Sequence, residues 1–277
     1  MLKYRLLTSA LLLPILLLLI FFLPSALFSI FMSLILFLMM IEWCQLSGLG
    51  SFSLKLTLSI LTLVLCLPIF WLSSALWLVI ALLCWMWAFI TLFIYINKKD
   101  KILPLGWHQR SVKLTIGIIF LMSYWKSAII LQTLETKPWW LLFAIGIVWA
   151  ADSGAYTFGR LYGTGTPLLV PSVSPKKTWV GFWGGLASGM ITAVLLIILL
   201  PLSTHSPLIL LGISLVVIIF SMLGDLFESM LKRQMGLKDS GGLLPGHGGL
   251  LDRLDSTLAA FPLFLSLLIL FNVINGR

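Results

Sequence analysis

The sequence predicts an all-α, polytopic integral membrane protein of about nine transmembrane helices, with the N-terminus inside and the C-terminus outside. Three observations predict it. Of 277 residues, 60% are hydrophobic and 10% charged, with a mean hydropathy of +1.12, whereas soluble domains are about 25% charged. Apolar runs of the roughly 20 residues needed to cross a hydrocarbon core recur from end to end. Basic residues fall on one side when the spans alternate. This composition excludes disorder, a fibrous repeat and an ordinary soluble enzyme. The net charge of +9 reads as positive-inside loops and anionic headgroups rather than a nucleic-acid surface.

The runs lie at about 6–23, 25–43, 54–72, 74–96, 113–131, 138–158, 179–200, 207–230 and 255–272. The first follows Lys3 and Arg5, as in a signal peptide. It lacks a clear small-residue cleavage site and another run follows at once, so it is expected to stay as a span. Pro14, Pro68 and Pro262 fall inside runs, which membrane helices tolerate. Cys44, Cys66 and Cys84 show neither CxxC nor zinc spacing and read as small apolar filler. With nine alternating spans, 15 of the 18 basic residues are cytoplasmic: Lys3, Arg5, Lys55, Lys98, Lys99, Lys101, Arg110, Lys113, Arg160, Lys176, Lys177, Lys232, Arg233, Lys238 and Arg253. Lys137 and Arg277 fall on the far side. Lys126 is a lone charge within a span, expected to snorkel or to pair with an acid. Glu42 is expected at a span end, and neither residue is assigned a catalytic role.

Polar chemistry crowds into one half. Residues 150–256 hold six of the nine acids, Asp152, Asp225, Glu228, Asp239, Asp252 and Asp255. Residues 1–135 therefore read as transmembrane scaffold. Residues 136–277 read as the catalytic region, with cytoplasmic loops 159–178 and 231–254. From 225 to 255, 31 residues hold five acids and the four bases Lys232, Arg233, Lys238 and Arg253. Asp225, Glu228 and Lys232 share a face if helical, as do Asp252 and Asp255. Carboxylates arriving from two helices suit a hard cation such as Mg²⁺. Between them GGLLPGHGG can bring backbone N–H groups close to phosphate. It is not a Walker A loop, because no Gly-Lys-Ser/Thr follows. His247 is open between ligand, acid–base group, phosphate donor and structural roles.

Two further stretches join this one. In WAADSGAYTFGR, 149–160, Asp152 is a carboxylate inside a span, a costly placement that favours a functional role over an interhelical hydrogen bond alone, while the small residues around it suit close helix packing. In SVSPKKTWVGFWGG, 172–185, Lys176, Lys177 and Thr178 precede a helix start. They form an anion site by charge and dipole, or a positive-inside pair only.

These residues resemble a known family. Ser229-x-Leu231-Lys232-Arg233, Lys238-Asp239, His247-Gly248-Gly249 and Asp252-Arg253-Leu254-Asp255 are similar to the signature of phosphatidate cytidylyltransferases, also called CDP-diacylglycerol synthases. Ala151–Tyr156 and Ser174–Trp179 resemble its upstream motifs, and MLKYRLL and IEWCQLSG resemble bacterial members. Val180 departs from the Glu or Gln that many members carry. The resemblance implies that CTP and phosphatidate give CDP-diacylglycerol and pyrophosphate for phospholipid biosynthesis. It also implies Mg²⁺ in a two-metal site, the second ion open to being monovalent. By position, Asp225, Asp252 and Asp255 are the expected metal ligands. The expected catalytic set adds Lys232, Arg233, Lys238, Asp239, His247 and Arg253. The expected binding set is Asp152, Ser174, Lys176, Lys177, Thr178, Gly248 and Gly249. The implied setting is the bacterial inner membrane, with the site facing the cytoplasm. Partners are the two substrates and membrane lipid, with a homodimer left open and no nucleic acid.

Two rival readings come from other classes. A transporter would show matched halves, and a CDP-alcohol phosphatidyltransferase would show an Asp-Gly-x-x-Ala-Arg pattern; neither is found. The charge split makes a topological prediction. Gly165→Cys and Gly242→Cys should label only from the cytoplasm, and Thr136→Cys only from the periplasm. Labelling of positions 165 and 242 from opposite sides would exclude a shared site.

Overall fold

In lipid no water is present to pair with a free backbone N–H or C=O, so each apolar run must coil into a helix. The computed structural model describes residues 14, 17–97, 106–134, 138–202, 206–243 and 248–273. Among them eight helices are long and apolar enough to cross a membrane. They are α1 (Ser25–Leu46), α2 (Phe52–Trp71), α3 (Ser74–Asn97), α4 (Arg110–Thr133), α5 (Trp139–Tyr162), α6 (Trp179–Leu199), α7 (Pro207–Gln234) and α8 (Leu251–Leu270). The expected all-α membrane fold is borne out, and each run after the first coincides with a helix. Of the expected first span, only residues 14 and 17–23 are described, and 17–22 are helical.

Two boundaries shift in ways that matter. Helix α7 runs to Gln234 and α8 begins at Leu251. Lys232, Arg233, Asp252 and Arg253 are therefore helical rather than part of a loop 231–254. A Glu228–Lys232 pair at i,i+4 and cations at the carbonyl end of α7 favour that extra turn. The 28 residues of α7 span about 42 Å at 1.5 Å each, longer than a hydrocarbon core of about 30 Å. The segment 159–178 is not all loop either. Helix α5 enters it, and β1 (Leu168–Val170) pairs antiparallel with β2 (Ser174–Thr178), Leu168 opposite Thr178 and Val170 opposite Ser174.

Helices α4 and α8 form the centre. Buried residues make up 72% of the apolar stretch of α4 and 61% of α8, against 17% for α2 and 22% for α6. The outer helices turn Leu67, Trp71, Ile198 and Leu199 outward, as expected where lipid is the solvent. Trp85 of α3 stacks on Phe120 of α4 with centroids 3.9 Å apart, and Trp43 and Phe227 meet Phe120 edge-on, tying α1 and α7 to that centre. Lys126 does not snorkel, and among the described residues it pairs with no acid. Its buried Nζ donates to the carbonyls of Ile69 at 2.9 Å and Leu72 at 2.6 Å, the partly negative end of α2.

Where lipid surrounds the helices, contact comes from small residues that let backbones approach. A Cβ on Gly154 would lie 2.3 Å from Ser188 Oγ, so α5 and α6 touch there. A Cβ on Gly224 would lie 2.8 Å from Ala259 Cβ and 2.9 Å from the Asp255 carbonyl. Gly224 thus sets the distance between α7 and α8 one residue before Asp225. Gly224→Ala is expected to cost about 1–3 kcal/mol by overpacking. Gly212→Ala, with nothing within 4 Å of the added carbon, should shift stability by no more than about 0.5–1 kcal/mol. Thermal melts of the two purified variants check this.

Candidate active site

The polar ends of α5, α7 and α8, with β2 and the start of α6, enclose a cavity of about 680 Å³, within the roughly 300–1,000 Å³ usual for ligand sites. Its wall contains Asp152 from α5, Ser174, Lys176, Lys177 and Thr178 from β2, Asp225 and Lys232 from α7, and Asp252, Arg253 and Asp255 from α8. Three sequence stretches that lie far apart in the chain thus converge on one space.

Each side chain is held by its element. Lys177 reaches from the hairpin to ion-pair with Asp225, which also accepts from Ser229 Oγ at 3.4 Å. Lys232 bridges two helices, 2.8 Å from Glu228 Oε2 and 2.7 Å from Asp252 Oδ1. The other oxygen of Asp252 accepts the N–H groups of Ser240 at 2.9 Å and Gly249 at 2.8 Å. Asp152 accepts from Ser256 Oγ at 3.1 Å. Thr178 caps α6, its Oγ1 accepting from Gly181 N at 3.1 Å, a replacement for one orphan donor of the first turn.

The charge balance is uneven. Asp152, Asp225 and Asp255 share the cavity wall, with Glu228 beside Asp255, so their charges would repel one another if all were ionised. Glu228 Oε1 is buried and accepts from no N–H or hydroxyl among the described residues; it meets the carboxyl of Asp255, and the two can pair only by sharing a proton. Five carboxylates thus stand in or beside a cavity where two lysines pair with them directly. Among the described residues no three His, Cys, Asp or Glu side chains are arranged around one point as a metal centre.

The remaining expected residues take other places. Arg233 donates from Nε to the Val173 carbonyl at 3.2 Å and so pins the hairpin to α7. Lys238 and Asp239 are exposed and do not line the cavity. Gly248 and Gly249 lie behind Asp252. Gly248 has φ +83°, and a Cβ there would sit 3.0 Å from Asp252 Oδ2, a conformation and a space that suit glycine. His247 lies outside the described residues. Sequence reasoning missed Tyr156, Arg160, Phe182, Met222 and Ser256 as wall residues. Tyr156, Arg160 and Phe182 sit inside stretches already singled out, but helical facing alone did not say which side meets the cavity. It also missed that Glu42 of α1 reaches this region. The available signal was an acid in an otherwise uncharged apolar run.

The cytidylyltransferase family model matches residues 3–271. The chain is 37% identical over 274 residues to a phosphatidate cytidylyltransferase of Pseudomonas aeruginosa, covering 97% of each chain. It is 42% identical over 154 residues to one from Staphylococcus aureus, covering 56% of this chain and 55% of the relative. It is 45% identical over 130 residues to one from Staphylococcus haemolyticus, covering 47% and 49%.

The two lysines of β2 differ in setting: Lys176 is exposed, and Lys177 is half-buried against Asp225. Replacing both by Gln should weaken binding of a polyanion such as CTP while the protein still inserts and folds. Unchanged activity per correctly inserted molecule would show that the pair serves topology only.

Proposed function

This chain belongs to the cytidylyltransferase family, and on that premise we infer that it transfers the cytidylyl group of CTP to phosphatidate, giving CDP-diacylglycerol and pyrophosphate. The observation that carries the reading is the cavity itself. Carboxylates and lysines share its wall with apolar side chains such as Leu169, Phe182 and Met222, and it lies among the ends of apolar helices. A lipid whose head is a phosphate monoester can present that head there while its acyl chains stay in the bilayer.

The chemistry asks little of a general base. A phosphate monoester is already largely dianionic near neutral pH, so one of its oxygens can attack the α-phosphorus of CTP directly. The bond from that phosphorus to the bridging oxygen breaks, and pyrophosphate leaves with the electron pair. What remains is to hold two polyanions in line and to offset their repulsion. Lys176, Lys177, Lys232 and Arg253 offer cationic donors suited to phosphate oxygens. The N-terminus of α6, capped by Thr178, adds N–H groups of matching polarity.

The donor set also suits Mg²⁺, a hard cation that takes carboxylate oxygens. The excess of carboxyl groups over paired lysines in and beside the cavity supports a cation here. Asp225, Asp252 and Asp255 would hold it, and it would supply charge neutralisation at the phosphate oxygens and leaving group. Lys177 and Lys232 compete for the same oxygens, so these lysines are expected to turn toward substrate phosphate when the cation binds. We propose that the cavity faces the cytoplasm from a bacterial inner membrane, where CTP is found; the basic flanks support this orientation.

Incubating purified protein with labelled CTP, phosphatidate and Mg²⁺ tests the reaction; lipid-linked label and released pyrophosphate are expected. Asp225→Asn or Asp252→Asn should each lower turnover by on the order of 10²–10³. The double variant should be little worse than the worse single one, because the two act as a unit. Near-normal Mg²⁺-dependent activity in both properly inserted single variants would defeat the assignment.

A further inference from the structure

Glu42 stands outside the cavity wall, on α1 in the N-terminal half, yet its carboxylate is 2% exposed and fully engaged. Its Oε2 accepts from Leu251 N at 2.7 Å and Ser240 Oγ at 3.1 Å, and its Oε1 accepts from Leu250 N at 3.0 Å. Gly241 and Gly249 close around it: a Cβ on either would lie 2.5 or 2.6 Å from a Glu42 oxygen. Asp252 holds the same two flanking segments, its Oδ2 accepting from Ser240 N and Gly249 N. Two carboxylates therefore hold Ser240 and Gly249–Leu251 between them. One of them, Glu42, touches nothing in the cavity, and the other is a wall residue bonded to Lys232.

We propose that Glu42 is a positioning residue for the site, acting through Ser240 and the Gly249–Leu251 segment on the orientation of Asp252. The physical reason is the donor count. Leu250 N and Leu251 N stand at the start of α8, where helix N–H groups have no partner within the helix. A buried anion aimed at them fixes where α8 starts and how its first turn is rotated. Asp252 sits in that turn. Supporting residues of this kind commonly matter almost as much as the residues they orient. On this reading the N-terminal helices do more than anchor the enzyme.

The inference rests on the cavity being the CTP site. The test uses the full-length protein in vesicles containing phosphatidate. Glu42→Gln places an amide NH₂ where one of three donors points. Binding of CTP in the presence of Mg²⁺ is expected to weaken about 10–100-fold, with the KM for phosphatidate unchanged, a split that general loosening of the fold would not produce. In an Asp252→Asn background the same change should add little, because the path runs through Asp252. Parental CTP binding by Glu42→Gln, an equal rise in the phosphatidate KM, or a loss that multiplies with that of Asp252→Asn overturns the proposal. Should Glu42→Gln fail to fold, Ser240→Ala removes one donor and keeps the backbone; it should weaken CTP binding severalfold, and no change would overturn the proposal. A parent protein that binds no CTP would instead overturn the reading of the cavity.

Discussion

The ion pairs of Lys232 hold the site's geometry together. One ammonium group lies between Glu228 on its own helix and Asp252 on the next. Taking three charges out of water is expensive, and only good geometry with further hydrogen bonds offsets it. The structure supplies those bonds at Asp252 through two backbone N–H groups. At Glu228 the second oxygen meets the Asp255 carboxyl. The arrangement is thus closed on the loop side, while Lys232 and Asp252 also line the cavity.

This centre can form only because the helices come unusually close. Between helices in lipid there is little hydrophobic driving force, so small residues and polar contacts must do the joining. Gly224 lets α7 meet α8 beside Asp225, and Gly154 lets α5 meet α6 beside Asp152. Each close contact lies within two residues of a wall carboxylate. Packing and chemistry therefore use the same stretch of each helix, and a change meant for one alters the other.

The two halves of the chain are less separate than their composition suggests. Most of the acids and the entire described cavity wall lie in the C-terminal half. Glu42 nonetheless crosses from α1 to the first turn of α8, and Trp43, the next residue, donates to the Lys113 carbonyl and meets Phe120. The end of α1 is therefore fixed by two kinds of contact, one polar and one aromatic.

The sequence by itself determined the membrane class, the span positions after the first run, and the carboxylates and lysines that gather at the site. Length and hydropathy leave lipid-embedded backbone no alternative to helix, and a charge beside an apolar run is too costly to be incidental. The i,i+4 pairing of Glu228 with Lys232 was legible too, because helical period alone fixes it. Only the tertiary structure decided that Lys177 meets Asp225, that Lys126 caps α2, that Lys238 and Asp239 stay exposed, and that Glu42 reaches α8. The hairpin of β1 and β2 belongs with these, since its strands are three and five residues long and carry little pattern. Periodicity tells which residues share a face of one helix. Which face turns toward which neighbour depends on where small residues let backbones approach, and that is a property of pairs of segments far apart in the chain.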